Sequence, residues 1–241
     1  MNRHAIVTGA SRGIGRAIAH RLNEEGWQVT NLDVAPPADT AAEPAPWIEA
    51  DLTDPDSLAA AIERARETGP ILGLVNNAAV ALVDKLEETP IADFDRTMAL
   101  NLRAPFLAAQ AVMADMKEAR FGRIVNLASR AMLGKTHRTA YAASKGGIAA
   151  MARVWALELA EFGITVNAVA PGPIATEMFM AANPPEMPRT QEIIGTVPVG
   201  RLGTPEDIAQ AVAFFMDERS AFTTGQTLYV CGGITLARGG S

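Results

Sequence analysis

Seven runs of strand length, at residues 4–8, 28–32, 47–50, 71–75, 123–127, 164–169 and 226–230, those at 71–75, 123–127 and 164–169 apolar, alternate with stretches whose apolar residues recur at helical spacing. This alternation constrains the chain more than any other feature. Runs that are apolar throughout are buried on both faces, the condition of parallel strands covered by helices on either side. The expected fold is therefore α/β, a doubly wound parallel sheet in three α/β/α layers. No Pro-, Gly- or Ser-rich linker divides the 241 residues, so residues 1–241 read as a single domain.

The first strand runs into Thr8-Gly9-Ala10-Ser11-Arg12-Gly13-Ile14-Gly15, after which Ala17, Ile18, Leu22 and Trp27 carry a helical apolar stripe. Such a turn lets the backbone approach a pyrophosphate, while the helix N-terminus offers unpaired N–H groups and a positive dipole end. Gly9, Gly13 and Gly15 have the spacing G-x-x-x-G-x-G, not the commoner G-x-G-x-x-G. Alone this is a weak signal. Asp33 ends the second strand, where a carboxylate accepts hydrogen bonds from the adenosine ribose hydroxyls and repels a 2′-phosphate. Arg12 pulls the other way, because a guanidinium in the turn suits that phosphate. Asp33 is expected to decide, which makes NAD the preferred cofactor and leaves NADP open.

The stretch from Ser129 to Lys145 carries the candidate chemistry. A helix opening near Arg138 puts Tyr141 and Lys145 four apart on one face, an ammonium beside a phenol. A nearby cation favours phenolate, which would fit Tyr141 to exchange a proton with an alcohol or ketone. Ser129, at a strand end, is placed to hold the same substrate oxygen. Tyr-x-x-x-Lys is also a common accident on helices and gains weight only beside the glycine turn. Residues 71–75 end in Asn76-Asn77-Ala78-Ala79, where amides can satisfy backbone groups and small residues permit close approach to a ligand. Asn101 stands among Met98, Leu100, Leu102 and Phe106 in a helical stretch, 89–120, interrupted near Pro105. Such an amide needs a partner. It either caps a kink above the proline or holds water near Lys145.

Residues 35–46 lack an apolar period and read as a surface loop. Asp51 and Leu52 follow the third strand, and Asp54-Pro55-Asp56 opens a helix reaching about residue 68. A helix from about 138 to 162 is mostly core. Pro171-Gly172-Pro173-Ile174-Ala175-Thr176 is a turn with exposed N–H groups, and residues 177–200, rich in Pro and Met, read as a mobile substrate flap that begins at about 174 or as an ordinary surface excursion. Thr204-Pro205-Glu206-Asp207 caps a last helix ending near 217. Gly232-Gly233 is a turn, and residues 237–241 read as a loose tail.

Composition narrows the function. Hydrophobic residues at 49% and charged residues at 20% fit a soluble globular domain. A net charge of -6 argues against a nucleic-acid partner, which needs clustered Lys and Arg. With Cys231 as the one cysteine no internal disulfide can form, no apolar run is long enough to span a bilayer, and only Met1-Asn2-Arg3 precedes the first strand. A cytoplasmic protein without signal peptide, membrane contact or metal site is expected.

With these motifs in place, the chain resembles the short-chain dehydrogenase/reductase family from about Ala5 to Gly233. Thr8 to Gly15 looks like its cofactor loop, Asn76 to Ala79 like its Asn-Asn-Ala-Gly motif, and Asn101, Ser129, Tyr141 and Lys145 like its catalytic tetrad. The resemblance implies a Rossmann-like fold and cofactor contacts from Gly9, Ser11, Arg12, Gly13, Ile14, Gly15, Asp33, Asp51, Leu52, Asn77, Ala78, Ala79, Tyr141, Lys145, Pro171, Gly172, Ile174 and Thr176. It implies hydride transfer between NAD and a small-molecule alcohol or ketone, with Tyr141 moving the proton and Ser129 steadying the oxygen. Lys145 would lower the Tyr141 pKa and hold the nicotinamide ribose, and Asn101 would position water. A homotetramer is implied as well. Alternatives are an NADPH-dependent 3-oxoacyl-thioester reductase of the acyl-carrier-protein type and, from another class, a non-catalytic nucleotide-sensing binding protein. The chain departs from the pattern in four ways. Ala79 stands where Gly is usual, which requires negative φ there. Ser129 lies one residue closer to Tyr141 than in many members. Cys231 replaces a frequent Asp, with no role assigned. The helix often found after the second strand gives way to a proline-rich loop.

Four basic or potentially basic side chains, Arg130, Lys135, His137 and Arg138, lie between Ser129 and Tyr141. Arg138, one helical turn before Tyr141, is placed to meet a substrate carboxylate or phosphate. The alternative is that these cations are solvated or bridge to acids of a neighbouring subunit.

Overall fold

The computed structural model describes residues 3–37 and 45–236. Seven strands, β1 (Arg3–Thr8), β2 (Trp27–Asp33), β3 (Trp47–Glu49), β4 (Ile71–Asn76), β5 (Gly122–Leu127), β6 (Ile164–Pro171) and β7 (Thr227–Val230), form one sheet in the order β3-β2-β1-β4-β5-β6-β7. Every pairing is parallel. The strand order reverses between β1 and β4, which opens a crevice at the carboxyl edge of the sheet. The expected α/β/α architecture is the observed one.

Alternation along each strand feeds two cores. Ile6, Ile71, Leu74, Ile124, Val166 and Ala168 pack on one face against α2 (Pro55–Arg66), α4 (Ala104–Ala119) and α5 (Thr139–Leu159). Ala5, Val7, Val29, Leu72, Val75 and Val169 pack on the other against α1 (Gly13–Glu24) and α8 (Pro205–Met216). Each fully buried Ile, Leu or Val contributes about 1.5–3 kcal/mol relative to exposure, so the carboxyl ends of the central strands have a firm base.

The caps read from sequence are present. Asp54 accepts from the Asp56 N–H at 3.2 Å with Pro55 at the first helical position. Thr204 and Asp207 exchange bonds of 3.3 and 2.8 Å in a capping box.

Several boundaries differ from expectation. Trp27 does not continue the stripe of α1: that helix ends at Glu24, Gly26 turns at φ 81°, and Trp27 opens β2 and stacks on Phe121. β6 runs two residues further than expected, to Pro171. The interruption near Pro105 lies upstream of it. α3 (Ile91–Met98) passes through a π segment, Ala99–Arg103, into α4, and Pro105 sits in the first turn of α4. A proline has no N–H to return to the carbonyl four residues back, here that of Asn101, so the wider turn absorbs the defect. The segment after Thr176 is not loop alone: it holds α6 (Glu177–Ala182) and α7 (Pro188–Gly195), the latter started by its proline. The described flanks of the 35–46 loop contain no helix. Residues 38–44 of that loop and the tail 237–241 lie outside the described residues.

Candidate active site

The glycine turn at the end of β1 is held by a network around Asn77 and Asn31. Gly9 adopts φ 67° and donates to the Leu32 carbonyl at 2.8 Å. Asn77 Nδ2 donates to the carbonyls of Thr8 and Gly9 at 2.9 and 3.0 Å, and Thr8 Oγ1 accepts from the N–H groups of Asn77 and Ala78 at 3.0 and 3.1 Å. A side chain on Gly15 would meet the Gly9 carbonyl oxygen at 2.2 Å, so helix and turn pack too closely for anything but glycine. Sequence reasoning missed Asn31. Buried in β2, it accepts from Ala10 N–H at 2.9 Å and donates to Ser11 Oγ at 2.9 Å. The signal was present as an amide near the end of the second strand, one residue from Leu32.

The mouth of this turn suits an anion. Arg12, the N-cap of α1, is exposed and makes no side-chain cap, and no acid lies in the first turn, so the N–H groups there are open to a ligand. Asp33 is fixed beside them, accepting from the N–H groups of Ser11 and Ala35 at 3.2 Å each. Ser11 Oγ donates to the Ala35 carbonyl at 2.7 Å. Thr176 closes the other side, its Cγ2 3.5 Å from where a Gly13 Cβ would stand. Asp51 is exposed, its carboxyl held below the usual range by bonds from the hydroxyl and N–H of Thr53. Leu52 and Ile174 are brought to the same edge and are only 7% and 6% exposed. Ala79 is exposed and keeps negative φ, since among the described non-glycine residues only Arg120 and His137 are positive. Its departure from glycine is therefore tolerated. Gly172 donates to Val230 at 2.9 Å and leaves no room for a side chain against Cys231 Cα, so Cys231 is a buried packing neighbour of the turn.

Across the crevice, Ser129 stands two residues after β5 and caps a short turn, Arg130–Leu133, by accepting from Ala131 N–H at 3.1 Å. Its hydroxyl also acts on the Tyr141 phenol, in the sense that favours phenolate. Lys145, 3% exposed, donates from Nζ to the Leu127 carbonyl at 2.5 Å. Burial lowers its pKa to about 8. Tyr141 departs from expectation. Burial raises the phenol above its ordinary value, opposed by the Ser129 hydroxyl and the charge of Arg138, and Lys145 is not among the causes. The reason is geometric: the Lys145 Nζ turns to a strand carbonyl, 5.8 Å from the Tyr141 ring centroid.

Asn101 is 1% exposed and fully engaged through its amide. It accepts from Val80 N–H at 2.9 Å and donates to the Val80 carbonyl at 2.9 Å and to Ser144 Oγ at 3.1 Å. Ser144, which sequence reasoning also missed, donates to the Tyr141 carbonyl at 2.8 Å. Asn101 thus braces the segment after Ala79 against the helix that carries Tyr141.

Known proteins resemble this chain over nearly its whole length. A family model described as enoyl-(acyl carrier protein) reductase matches residues 9–235. A (2S)-[(R)-hydroxy(phenyl)methyl]succinyl-CoA dehydrogenase subunit of Thauera aromatica is 39% identical over 99% of this chain and 98% of its own. An NAD-dependent glycerol dehydrogenase of Listeria innocua serovar 6a is 35% identical over 96% and 93%. A blue fluorescent protein from a metagenomic library, solved in complex with NADPH, superposes with TM-score 0.87 at 38% identity over 96% of this chain and 97% of that one. Fold, glycine turn and relatives together place the chain: it belongs to the short-chain dehydrogenase/reductase family and is an oxidoreductase acting on CH–OH groups with a nicotinamide cofactor.

Proposed function

We propose that the protein interconverts a secondary alcohol and a ketone with NAD, and that Tyr141 moves the proton. The observation that carries the reading is Lys145, buried and 5.8 Å from the Tyr141 ring centroid, with the Ser129 hydroxyl acting on the same phenol, on the same sheet edge as the glycine turn. The residues fit a dinucleotide. Backbone groups of Gly9, Ser11, Arg12, Gly13, Ile14 and Gly15 would hold its pyrophosphate, Asp33 its adenosine ribose, and Asp51 and Leu52 its adenine edge. Asn77, Ala78 and Ala79 with Tyr141, Lys145, Pro171, Gly172, Ile174 and Thr176 would line the path to its nicotinamide end. When bound, the cofactor supplies the hydride acceptor or donor.

The chain's own residues handle the proton. Ser129 Oγ holds the substrate oxygen, and Tyr141 Oη takes the hydroxyl proton in oxidation or returns it in reduction. Lys145 holds the nicotinamide ribose and, once drawn off the Leu127 carbonyl, adds positive charge beside the phenol. The amide of Asn101 is occupied, so its part in a proton relay is to hold water through its main-chain carbonyl, to which Pro105 gives no bond.

Asp33, pinned toward the ribose site, supports NAD over NADP, whereas exposed Arg12 favours the rival NADPH-dependent 3-oxoacyl-thioester reductase. Acidic charge and a single cysteine support the cytoplasm. No helix among the described residues is long and apolar enough to cross a membrane. A homotetramer is supported by apolar side chains left exposed on α4 and α5, Phe106, Val154 and Leu157, and around α8 and β7, Phe214, Phe222 and Leu228. Incubation with NAD or NADP and a panel of secondary alcohols, read by reduced-nicotinamide absorbance, tests the function. Turnover with NAD is expected. Cofactor binding without turnover of any alcohol or ketone would leave the binding-protein reading in its place.

A further inference from the structure

Four cations lie near enough to feel one another's charge beside Tyr141. Arg130 follows Ser129 directly, Lys135 and Arg138 lie on the approach to α5, and Arg189 comes from the first turn of α7, across the segment after Thr176. Lys135 feels the positive charge of Arg130, Arg138 and Arg189, and Arg138 feels that of Arg189, so the four form one electrostatic cluster. The cluster abuts the reacting groups, because Arg138 and the Tyr141 phenol interact as charges.

Nothing within the described residues neutralises it. None of the four makes an ion pair with a carboxylate, and Asp84, whose backbone bridges that of Arg138, makes none either. Arg138 is instead aimed by the backbone. Its Nη1 donates to the carbonyls of Ala81 and Leu82 at 2.9 and 3.3 Å, which fixes the guanidinium and leaves its other donors free. Concentrating like charge in this way is unfavourable unless an anion joins it. The cofactor does not need these residues, since its pyrophosphate cradle is the glycine turn on the other side of the crevice.

We propose that this cluster binds an oxyanion carried by the substrate, so that the alcohol or ketone bears a carboxylate or phosphate away from its reacting carbon. The assignment rests on the dehydrogenase reading and names its substrate class. Half-buried Arg138 selects the anion, and exposed Arg189 adds a second positive charge to it.

Three matched secondary alcohols test it, one neutral, one with a terminal carboxylate and one with a terminal phosphate, assayed on the full chain, Arg138→Gln and Arg189→Gln. In the wild type one or both anionic alcohols should exceed the neutral one in kcat/KM, the stronger naming the oxyanion, and the advantage should shrink as salt rises. Each variant should lower the anionic-to-neutral ratio by about tenfold or more, as loss of a charge-assisted bond does. A ratio that moves less than twofold in both variants, with the neutral alcohol still turned over, overturns the anion site and leaves the dehydrogenase reading standing. If no alcohol is turned over, the dehydrogenase reading fails, and inorganic phosphate becomes the probe: it should raise the melting temperature of the wild type and not of the variants, and equal shifts overturn the site. A change of oligomeric state in Arg189→Gln with an unmoved ratio would assign the cluster to subunit contacts instead.

Discussion

Gly15→Ala tests the cofactor cradle most directly. The added Cβ would stand 2.2 Å from the Gly9 carbonyl oxygen, 2.5 Å from Asn77 Nδ2 and 2.8 Å from the Gly9 carbonyl carbon. Non-bonded heavy atoms settle at about 3.5 Å, so the turn must retreat by roughly 1 Å, and the atoms in the way are backbone and a tethered amide. Overpacking of this kind costs about 1–3 kcal/mol. The retreat also breaks the bonds from Asn77 Nδ2 to Thr8 and Gly9, each worth about 1 kcal/mol. A total near 3–5 kcal/mol corresponds to a fall of roughly 6–20 °C in Tm for a chain of this length. Cofactor affinity should fall about tenfold or more, because the misplaced N–H groups are those offered to the pyrophosphate. Gly146→Ala is the control. It lies inside α5, where its Cβ would meet only Met132 Cβ at 3.9 Å, and alanine there should gain about 0.5–1 kcal/mol of helix stability. Scanning fluorimetry and NAD titration calorimetry on both variants supply the measurement. A Gly15→Ala protein that melts within 2 °C of the parent and binds NAD equally well would refute the argument.

Tyr141→Phe should lower kcat by about 10²–10⁴ while leaving NAD affinity nearly the same, since it removes one oxygen and little packing; steady-state kinetics beside a cofactor titration decides. Asp33→Asn should reduce the preference for NAD over NADP by about tenfold or more in kcat/KM, and an unchanged preference would pass the discrimination to Arg12. Lys145 predicts a stability profile. Folding lowers its pKa from 10.5 to about 8, so between these values the unfolded chain holds the proton that the folded chain has released, and stability rises with pH. The full effect is up to about 3 kcal/mol, and Lys145→Met should lack it; urea midpoints of the two proteins that run parallel from pH 7.5 to 10 would count against a desolvated ammonium.

The fold was legible because its signal is regional. Seven strand runs and the caps at Asp54 and Thr204 survive errors of a residue or two, and the strands fell within two residues of where the runs placed them. Positions and spacings were legible as well: Gly9, Gly13 and Gly15, Asp33, Asn77, Ser129, Tyr141 and Lys145 all come to the carboxyl edge. What a side chain does once there was less so. The spacing of Tyr141 and Lys145 correctly put them on one face but could not reveal that the Leu127 carbonyl captures the ammonium. Asn101 was seen to need a partner, yet Val80 and Ser144 lie 21 and 43 residues away along the chain. Arg189 stood in a segment read as a flap or surface excursion, and the helix started by Pro188, which carries it within reach of the charges of Lys135 and Arg138, was not foreseen.

Arg138 joins proton transfer to substrate charge, and the sign of that coupling can be stated. Burial raises the Tyr141 phenol, and the groups that oppose it are the Ser129 hydroxyl and the Arg138 guanidinium. The Lys145 ammonium lies 5.8 Å from the ring with its donor turned to Leu127. An oxyanion bound at Arg138 would cancel part of that favourable charge while the Ser129 hydroxyl stays, so the phenol becomes a weaker acid than in the complex with a neutral alcohol. Oxidation needs phenolate and reduction needs phenol. The acid limb of kcat for oxidation should therefore lie at higher pH for a carboxylate-bearing alcohol than for its neutral match, and the gap should close in Arg138→Gln, where there is no charge to cancel. The pH profiles of the two alcohols on the wild type and this variant provide the assay. A limb at the same pH for both alcohols on the wild type would show that Arg138 and Tyr141 are not coupled in the working complex, and would leave the guanidinium a binding group alone.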